Sequence, residues 1–180
     1  MTQVKPAGDP LFLAGWREHA NVSGHAADWL HIDRLVTADI VRSFESTMAL
    51  TVIAAGEATL PEAAHSLLAD DGHEGWLREI TITSGDALLI HAVSFMPQTA
   101  CEANPWFTGL DHSVLGNALA KREYAQRSPM RFLRSPQTPA PFGSIDGAWA
   151  RRSVFDVEGG SLLLIEHMTE TLLGTPRMMD

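Results

Sequence analysis

Two charged residues, Arg78 and Glu166, stand where the surrounding pattern asks for apolar ones, and their types suit holding an anion and managing a proton. In an extended strand, side chains alternate between faces. Along residues 75–83, Trp76, Arg78, Ile80 and Ile82 share one face, and Leu77, Glu79, Thr81 and Thr83 share the other. Arg78 is thus the charge in an apolar set. Leu162, Leu164, Glu166 and Met168 likewise share a face, with Leu163, Ile165 and His167 opposite. Both of those faces read as covered, as in a central strand, so Glu166 reads as an ionisable group in the core. A buried charge must be paired, or must shift its pKa until it is neutral. Arginine donates two parallel hydrogen bonds to a carboxylate. Arg78 is therefore a candidate carboxylate anchor, and Glu166 a candidate for holding a hydroxyl or passing a proton. A purely structural alternative stays open. With a two- or three-residue turn at Gly159-Gly160, Glu166 lies opposite Ser153 or Arg152, and a Glu166–Arg152 ion pair satisfies both groups without chemistry.

Other clusters carry less. His73 with Asp70, Asp71 and Glu74 has the composition of a metal site, but its spacing fits no metal motif and it reads as a solvated acidic turn. In Gly143-Ser144-Ile145-Asp146-Gly147 the serine sits one place off the GxSxG elbow. Neither a Walker A nor a GxGxxG sequence occurs, so nucleotide phosphates have no ready cradle. His31, His91 and His167 stand alone as core or surface histidines. Cys101, the single cysteine, leaves no internal disulfide or CxxC motif and reads as structural.

The elements that must position Arg78 and Glu166 are two hairpins. Residues 75–83 and 87–95 flank Ser84-Gly85-Asp86, and residues 149–157 and 161–169 flank Glu158-Gly159-Gly160. A two-residue turn at Gly85-Asp86 places Leu89, His91, Val93 and Phe95 on the Arg78 side. Ala14 to Phe44 carries apolar residues at helical spacing, Thr47 to Ile53 reads as a strand, and Pro61 to Leu68 as a short helix. Ser113 is positioned to cap a helix from Val114 to about Gln126. Pro129, Pro136, Pro139 and Pro141 argue against a regular element between Arg127 and Gly147, so that stretch reads as a lid or binding loop. Five or six strands joined by hairpins, with helices collected early and mid-chain, predict an α+β fold: one antiparallel sheet with helices on one face.

Length and composition bound the rest. A chain of 180 residues with 45% hydrophobic and 19% charged residues reads as one globular domain over 1–180, with 1–13 loosely ordered and 174–180 a frayed tail. Thirteen basic against 22 acidic residues give a net charge of -9, which opposes nucleic acid or an anionic membrane as partner. The first ten residues lack the apolar run of a signal peptide, and no stretch is apolar enough to span a membrane, so a cytoplasmic monomer is expected.

The ordered segments resemble one family, the chorismate pyruvate-lyases, which make 4-hydroxybenzoate for ubiquinone. Trp76-Leu77-Arg78-Glu79-Ile80 matches its WLREI strand, and Leu115-Gly116 with Leu119 its LG-x-x-L segment. Trp149-Ala150-Arg151-Arg152-Ser153 followed by Leu162-Leu163-Leu164-Ile165-Glu166 matches its W-x-R-R-S hairpin ending in LLL-x-E. The match runs in order from about Phe44 to Leu173. The resemblance implies an antiparallel sheet with helical flaps over an enclosed ligand, a lyase that needs neither cofactor nor metal, and chorismate and 4-hydroxybenzoate as its small-molecule partners. It also implies that Arg78 holds the ligand carboxylate, Glu166 the aromatic hydroxyl, and Leu115 a backbone contact. A fourth contact, a methionine in the family, falls on Ile40 when Phe44-Glu45 is aligned, and on Val36 or Val41 with other gap choices. Val114 replaces a proline of the relatives. Arg152 is a candidate for the second substrate carboxylate. The rival implied by the same fold is a non-catalytic effector-binding module. A lyase for a related enolpyruvyl ring compound is the third reading.

Overall fold

The computed structural model describes residues 15–33, 36–44, 48–60, 65, 67–68, 73–122, 125–134 and 149–178. Among these, α1 (His25–Leu30) and α2 (Val36–Ser43) precede β1 (Met48–Thr59), β2 (Glu74–Ser84) and β3 (Ala87–Pro97). Helices α3 (Gln98–Ala103), α4 (Pro105–Thr108) and α5 (Leu115–Leu119) follow. The chain then forms β4 (Gln126–Arg127), β5 (Arg131–Arg134), β6 (Trp149–Val157), β7 (Gly160–Met168) and α6 (Glu170–Gly174). The strands make one seven-stranded sheet in the order β1-β2-β3-β7-β6-β4, with β5 also on β6. Every pairing is antiparallel. The predicted α+β class holds, with one to two more strands than expected.

Both long hairpins form, and each departs from the expected register, the first by a bulge and the second by the position of its turn. In the first, Thr83 pairs with Leu88 but Ile82 pairs with Ile90, so Leu89 is an extra residue, a β-bulge. Beyond it Ile90, Ala92 and Ser94 stand across from Ile82, Ile80 and Arg78. The expectation that His91, Val93 and Phe95 join Arg78's side is therefore reversed. In the second, Val157 pairs with Gly160, so the two-residue turn is Glu158-Gly159, with Gly159 at φ 73. Positive φ is where glycine carries no steric penalty. This places Glu166 directly opposite Arg151, not Ser153 or Arg152.

Other elements differ more simply. The helix after Ser113 stops at Leu119, and its N-cap Val114 makes no side-chain bond. Gln126 belongs to β4 instead. β1 runs on through Gly56 to Thr59, and β5 forms just after Pro129. α3 and α4, unannounced by periodicity, begin beside Pro97 and at Pro105, a residue preorganised for a first helical turn. Residues 174–178, expected to fray, are tied down: Trp29 Nε1 donates to the Thr175 carbonyl at 2.8 Å, Arg177 Nε to Asp39 Oδ2 at 2.8 Å, and Met178 N to Ser43 Oγ at 2.9 Å. Most of the Pro61–Leu68 helix, the Asp70-Asp71 turn, the Ser144 segment and residues 1–13 lie outside the described residues.

The central strands are covered on both faces. On one, Leu77, Val93, Phe95, Leu163 and Ile165 pack with Ala58, Leu60 and Leu68. On the other, α1, α2 and α6 cover one end, through Trp29, Leu30, Ile40 and Leu172 against Ile80, Ile82 and Ile90. At the far end of that face α3 to α5 pack Phe107, Leu115 and Leu119 around Phe155 and Leu162. Burial of such side chains stabilises by about 1.5–3 kcal/mol each. Between the two helical groups the sheet face is left open to a cavity. Among the described residues no helix is long and apolar enough to cross a membrane.

Candidate active site

The cavity has a volume of about 320 Å³, in the range of small-ligand sites. Its floor is the sheet: Ile80 and Ile82 from β2, Ile90 and Ala92 from β3, and Leu164 from β7. One wall is Val36 and Thr37 of α2, the other Leu115, Gly116 and Leu119 of α5. Its polar groups gather at one side: Arg151 and Glu166 from paired positions on β6 and β7, Arg127 from β4, and Asp33.

Glu166 is held by a two-point fork. Arg151 Nε donates to Oε2 at 2.6 Å and Nη2 to Oε1 at 3.2 Å. Arg151 is only 2% exposed, and its Nη1 donates to the Ile32 carbonyl at 2.7 Å. The guanidinium is thus committed on every side, joining β7 to the segment after α1. A pair this buried survives only because its remaining donors are also satisfied. Arg127 stands next to it: Nε donates to Ser153 Oγ at 2.8 Å, Nη1 to the Asp33 carbonyl at 3.3 Å, and Nη2 is 3.7 Å from Glu166 Oε2. Burial, then the neighbouring Arg151 charge, push the Arg127 pKa down to about 10, against Glu166 and Asp33, so it remains a cation at neutral pH.

Arg78 lies on the same sheet face, two residues along β2 from the floor residue Ile80, and is 3% exposed. Its Nη2 donates to the carbonyls of Asp111 and Ser113, both at 2.8 Å, and so fixes the loop that delivers Leu115 to the cavity. Its Nε has no hydrogen-bond partner, and burial lowers its pKa while the Asp111 charge opposes that. Among the described residues no carboxylate forms an ion pair with Arg78. Glu166 is level with Ala92 and Ile80, so the pleat puts its Cα roughly 12 Å from that of Arg78 across the same face.

Of the residues singled out by sequence, Glu166 and Leu115 line the cavity, whereas Arg78 shares its sheet face without lining it. Ile40 does not line it; it is fully buried against the α1–α2 core, one turn beyond Val36 and Thr37, which do. Arg152 does not line it either. With the turn at Glu158-Gly159 it points to the opposite face, where its guanidinium lies 4.7 Å above the Trp16 ring. The residues that sequence reasoning missed are Arg151 and Arg127. Arg151 was legible in principle, since a two-residue turn with positive φ at its second position takes glycine there and Glu158-Gly159 fits. Arg127 carried no signal, lying in a stretch read as irregular.

Comparison with known proteins agrees with this architecture. The chain is 30% identical over 128 residues to a probable chorismate pyruvate-lyase of Aromatoleum aromaticum, covering 64% of this chain and 69% of that protein. It is 27% identical over 166 residues to a probable chorismate pyruvate-lyase of Pseudomonas fluorescens, covering 91% of this chain and 89% of the relative. Its fold is similar to that of the effector domain of PhnF from Mycobacterium smegmatis, at TM-score 0.52 and 12% identity over 75% of this chain and 87% of that one. The C-terminal domain of the histidine utilization repressor from Pseudomonas syringae pv. tomato gives TM-score 0.54 at 10% identity, over 74% and 97% of the two chains. The family profile described as chorismate lyase matches residues 13–180, and the chain belongs to that family.

Proposed function

We propose that the cavity eliminates pyruvate from chorismate and leaves 4-hydroxybenzoate, the aromatic precursor of ubiquinone. The observation that carries this reading is the placement of a buried, fork-held carboxylate at one side of an aliphatic, single-ring-sized cavity in a member of the chorismate lyase family. The reaction breaks the bond between ring C3 and the ether oxygen, removes the hydrogen at the hydroxyl-bearing C4, and protonates the leaving enolpyruvate. It is redox-neutral, and aromatisation of the ring drives it. The protein has to bind, orient and exclude water.

Arg78 holds the ring carboxylate, using the Nε that has no other partner. Glu166 accepts from the ring hydroxyl, and the Arg151 fork keeps its oxygens in place for that contact. The aliphatic floor excludes water from the ring, which strengthens both polar contacts. With both side chains standing off the same sheet face, a lateral separation of roughly 12 Å spans one para-substituted six-membered ring with a hydrogen bond at each end.

The test is direct. Purified protein is incubated with chorismate and 4-hydroxybenzoate is followed by chromatography; product no faster than the uncatalysed background rejects the lyase reading. Arg78→Ala is expected to lose both turnover and 4-hydroxybenzoate affinity, and parent-like values remove Arg78 from its role. The likeness to effector domains favours a second reading, ligand binding without turnover. Thermal stabilisation by 4-hydroxybenzoate with no pyruvate released selects it.

A further inference from the structure

Charge at the cavity is unbalanced. Glu166 is fully answered by Arg151, whose guanidinium is spent on that carboxylate and on the backbone carbonyls of Leu30 and Ile32. Arg127 adds a second cation, and its bonded partners are neutral: a serine hydroxyl and a carbonyl. Its Nη2 sits 3.7 Å from Glu166 Oε2, beyond hydrogen-bond distance. The remaining acid of the lining, Asp33, is exposed, so water screens it. Among the buried groups of the cavity two cations therefore face one carboxylate, and the Arg127 Nη2 beside Glu166 is a donor with no hydrogen bond of its own among the described residues.

We propose that Arg127 binds the second carboxylate of a dianionic ring substrate and so selects an enolpyruvyl ring acid over a plain hydroxybenzoate. The inference rests on the chorismate reading above. In chorismate the hydroxyl and the enolpyruvyl ether are on adjacent ring carbons. If Glu166 holds the hydroxyl, the side-chain carboxylate is delivered within a few ångströms of Glu166, which is where the Arg127 Nη2 stands. Arg152, the sequence candidate for this task, is on the other face of the sheet. After elimination that carboxylate leaves with pyruvate, so Arg127 grips the substrate but has no group to grip on 4-hydroxybenzoate.

The experiment compares wild type with Arg127→Gln and Arg127→Lys, reading KM and kcat for chorismate and Kd for 4-hydroxybenzoate. Loss of one charge-assisted contact raises the chorismate KM about 10- to 100-fold in Arg127→Gln, with partial rescue in Arg127→Lys. The Kd for 4-hydroxybenzoate stays within about twofold, and retention of its thermal shift shows that the variant is folded. An unchanged KM overturns the proposal. So does an equal loss in KM and in 4-hydroxybenzoate affinity, which marks Arg127 as a prop for Glu166. A wild type that releases no pyruvate rejects the lyase reading instead. Chorismate affinity by calorimetry, wild type against Arg127→Gln, then decides: a 10- to 100-fold difference supports Arg127, and equal affinities overturn it.

Discussion

Replacing His167 with leucine is expected to remove most of one acid-sensitive component of stability. His167 lies on the face of β7 away from the cavity, buried, with neither ring nitrogen hydrogen-bonded. Its ring centroid is 5.7 Å from that of His91, which contacts Glu79 Oε1 through Nε2 at 2.7 Å. Burial first, and the His91 charge second, push the His167 pKa from 6.5 to about 4. Because the folded value lies below the unfolded one, the unfolded chain binds more protons between pH 4 and 6.5. Stability is therefore fully present above pH 6.5 and is lost as pH falls through that window. The full gap corresponds to about 3 kcal/mol, of which about 2 kcal/mol is gone by pH 5. Urea unfolding followed by tryptophan fluorescence at pH 7.5 and pH 5.0 measures it. Wild type should lose about 2 kcal/mol more than His167→Leu between the two, since every other titrating group is common to both. At pH 7.5 the leucine variant should be at least as stable, because two unbonded polar atoms are replaced by apolar ones. Equal acid losses in the two proteins refute the reasoning.

Packing and pairing set four further outcomes. Gly75→Ala sets a Cβ 2.1 Å from the Met96 carbonyl oxygen on the paired strand, so it should cost about 3 kcal/mol or more, read as a lowered urea midpoint. Arg151→Leu strands Glu166 without its fork and should destabilise by about 3–5 kcal/mol at pH 7.5. Adding Glu166→Leu to Arg151→Leu should recover much of that in stability, though not in ligand binding. Thr169→Ala removes the side chain that caps α6 and donates to the Leu88 carbonyl, and should lower stability by about 1–2 kcal/mol.

How much of this was readable beforehand differs between residues for physical reasons. The faces of β7 were legible because both its sets are continuous and no bulge interrupts it, and Glu166 stood out for that reason. Arg78 was legible on the same ground, within β2. The partner strands were not. A bulge costs one residue and leaves no mark in composition, so the extra Leu89 exchanged the two faces of β3, and His91 proved to belong with Glu79 and His167. In the last hairpin three consecutive turn-compatible residues, Glu158, Gly159 and Gly160, allow several registers, and each one-residue slip inverts β6. That slip decided between Arg152 and Arg151 as the partner of Glu166. Arg127 was illegible for another reason: a two-residue strand has no periodicity to read, and its place is set by pairing with Asp156 and Phe155.

The segment from Thr175 to Met178 does more than finish the chain. Arg177 reaches Asp39, a fully buried carboxylate on α2 that also receives Arg42, while Trp29 and Ser43 take hold of the residues on either side. The same α2 supplies Val36 and Thr37 to the cavity wall. This stretch is therefore a strap onto the helix that forms the wall. A ligand that braces α2 is expected to slow proteolysis of the strap, and loss of the strap is expected to weaken that ligand's grip.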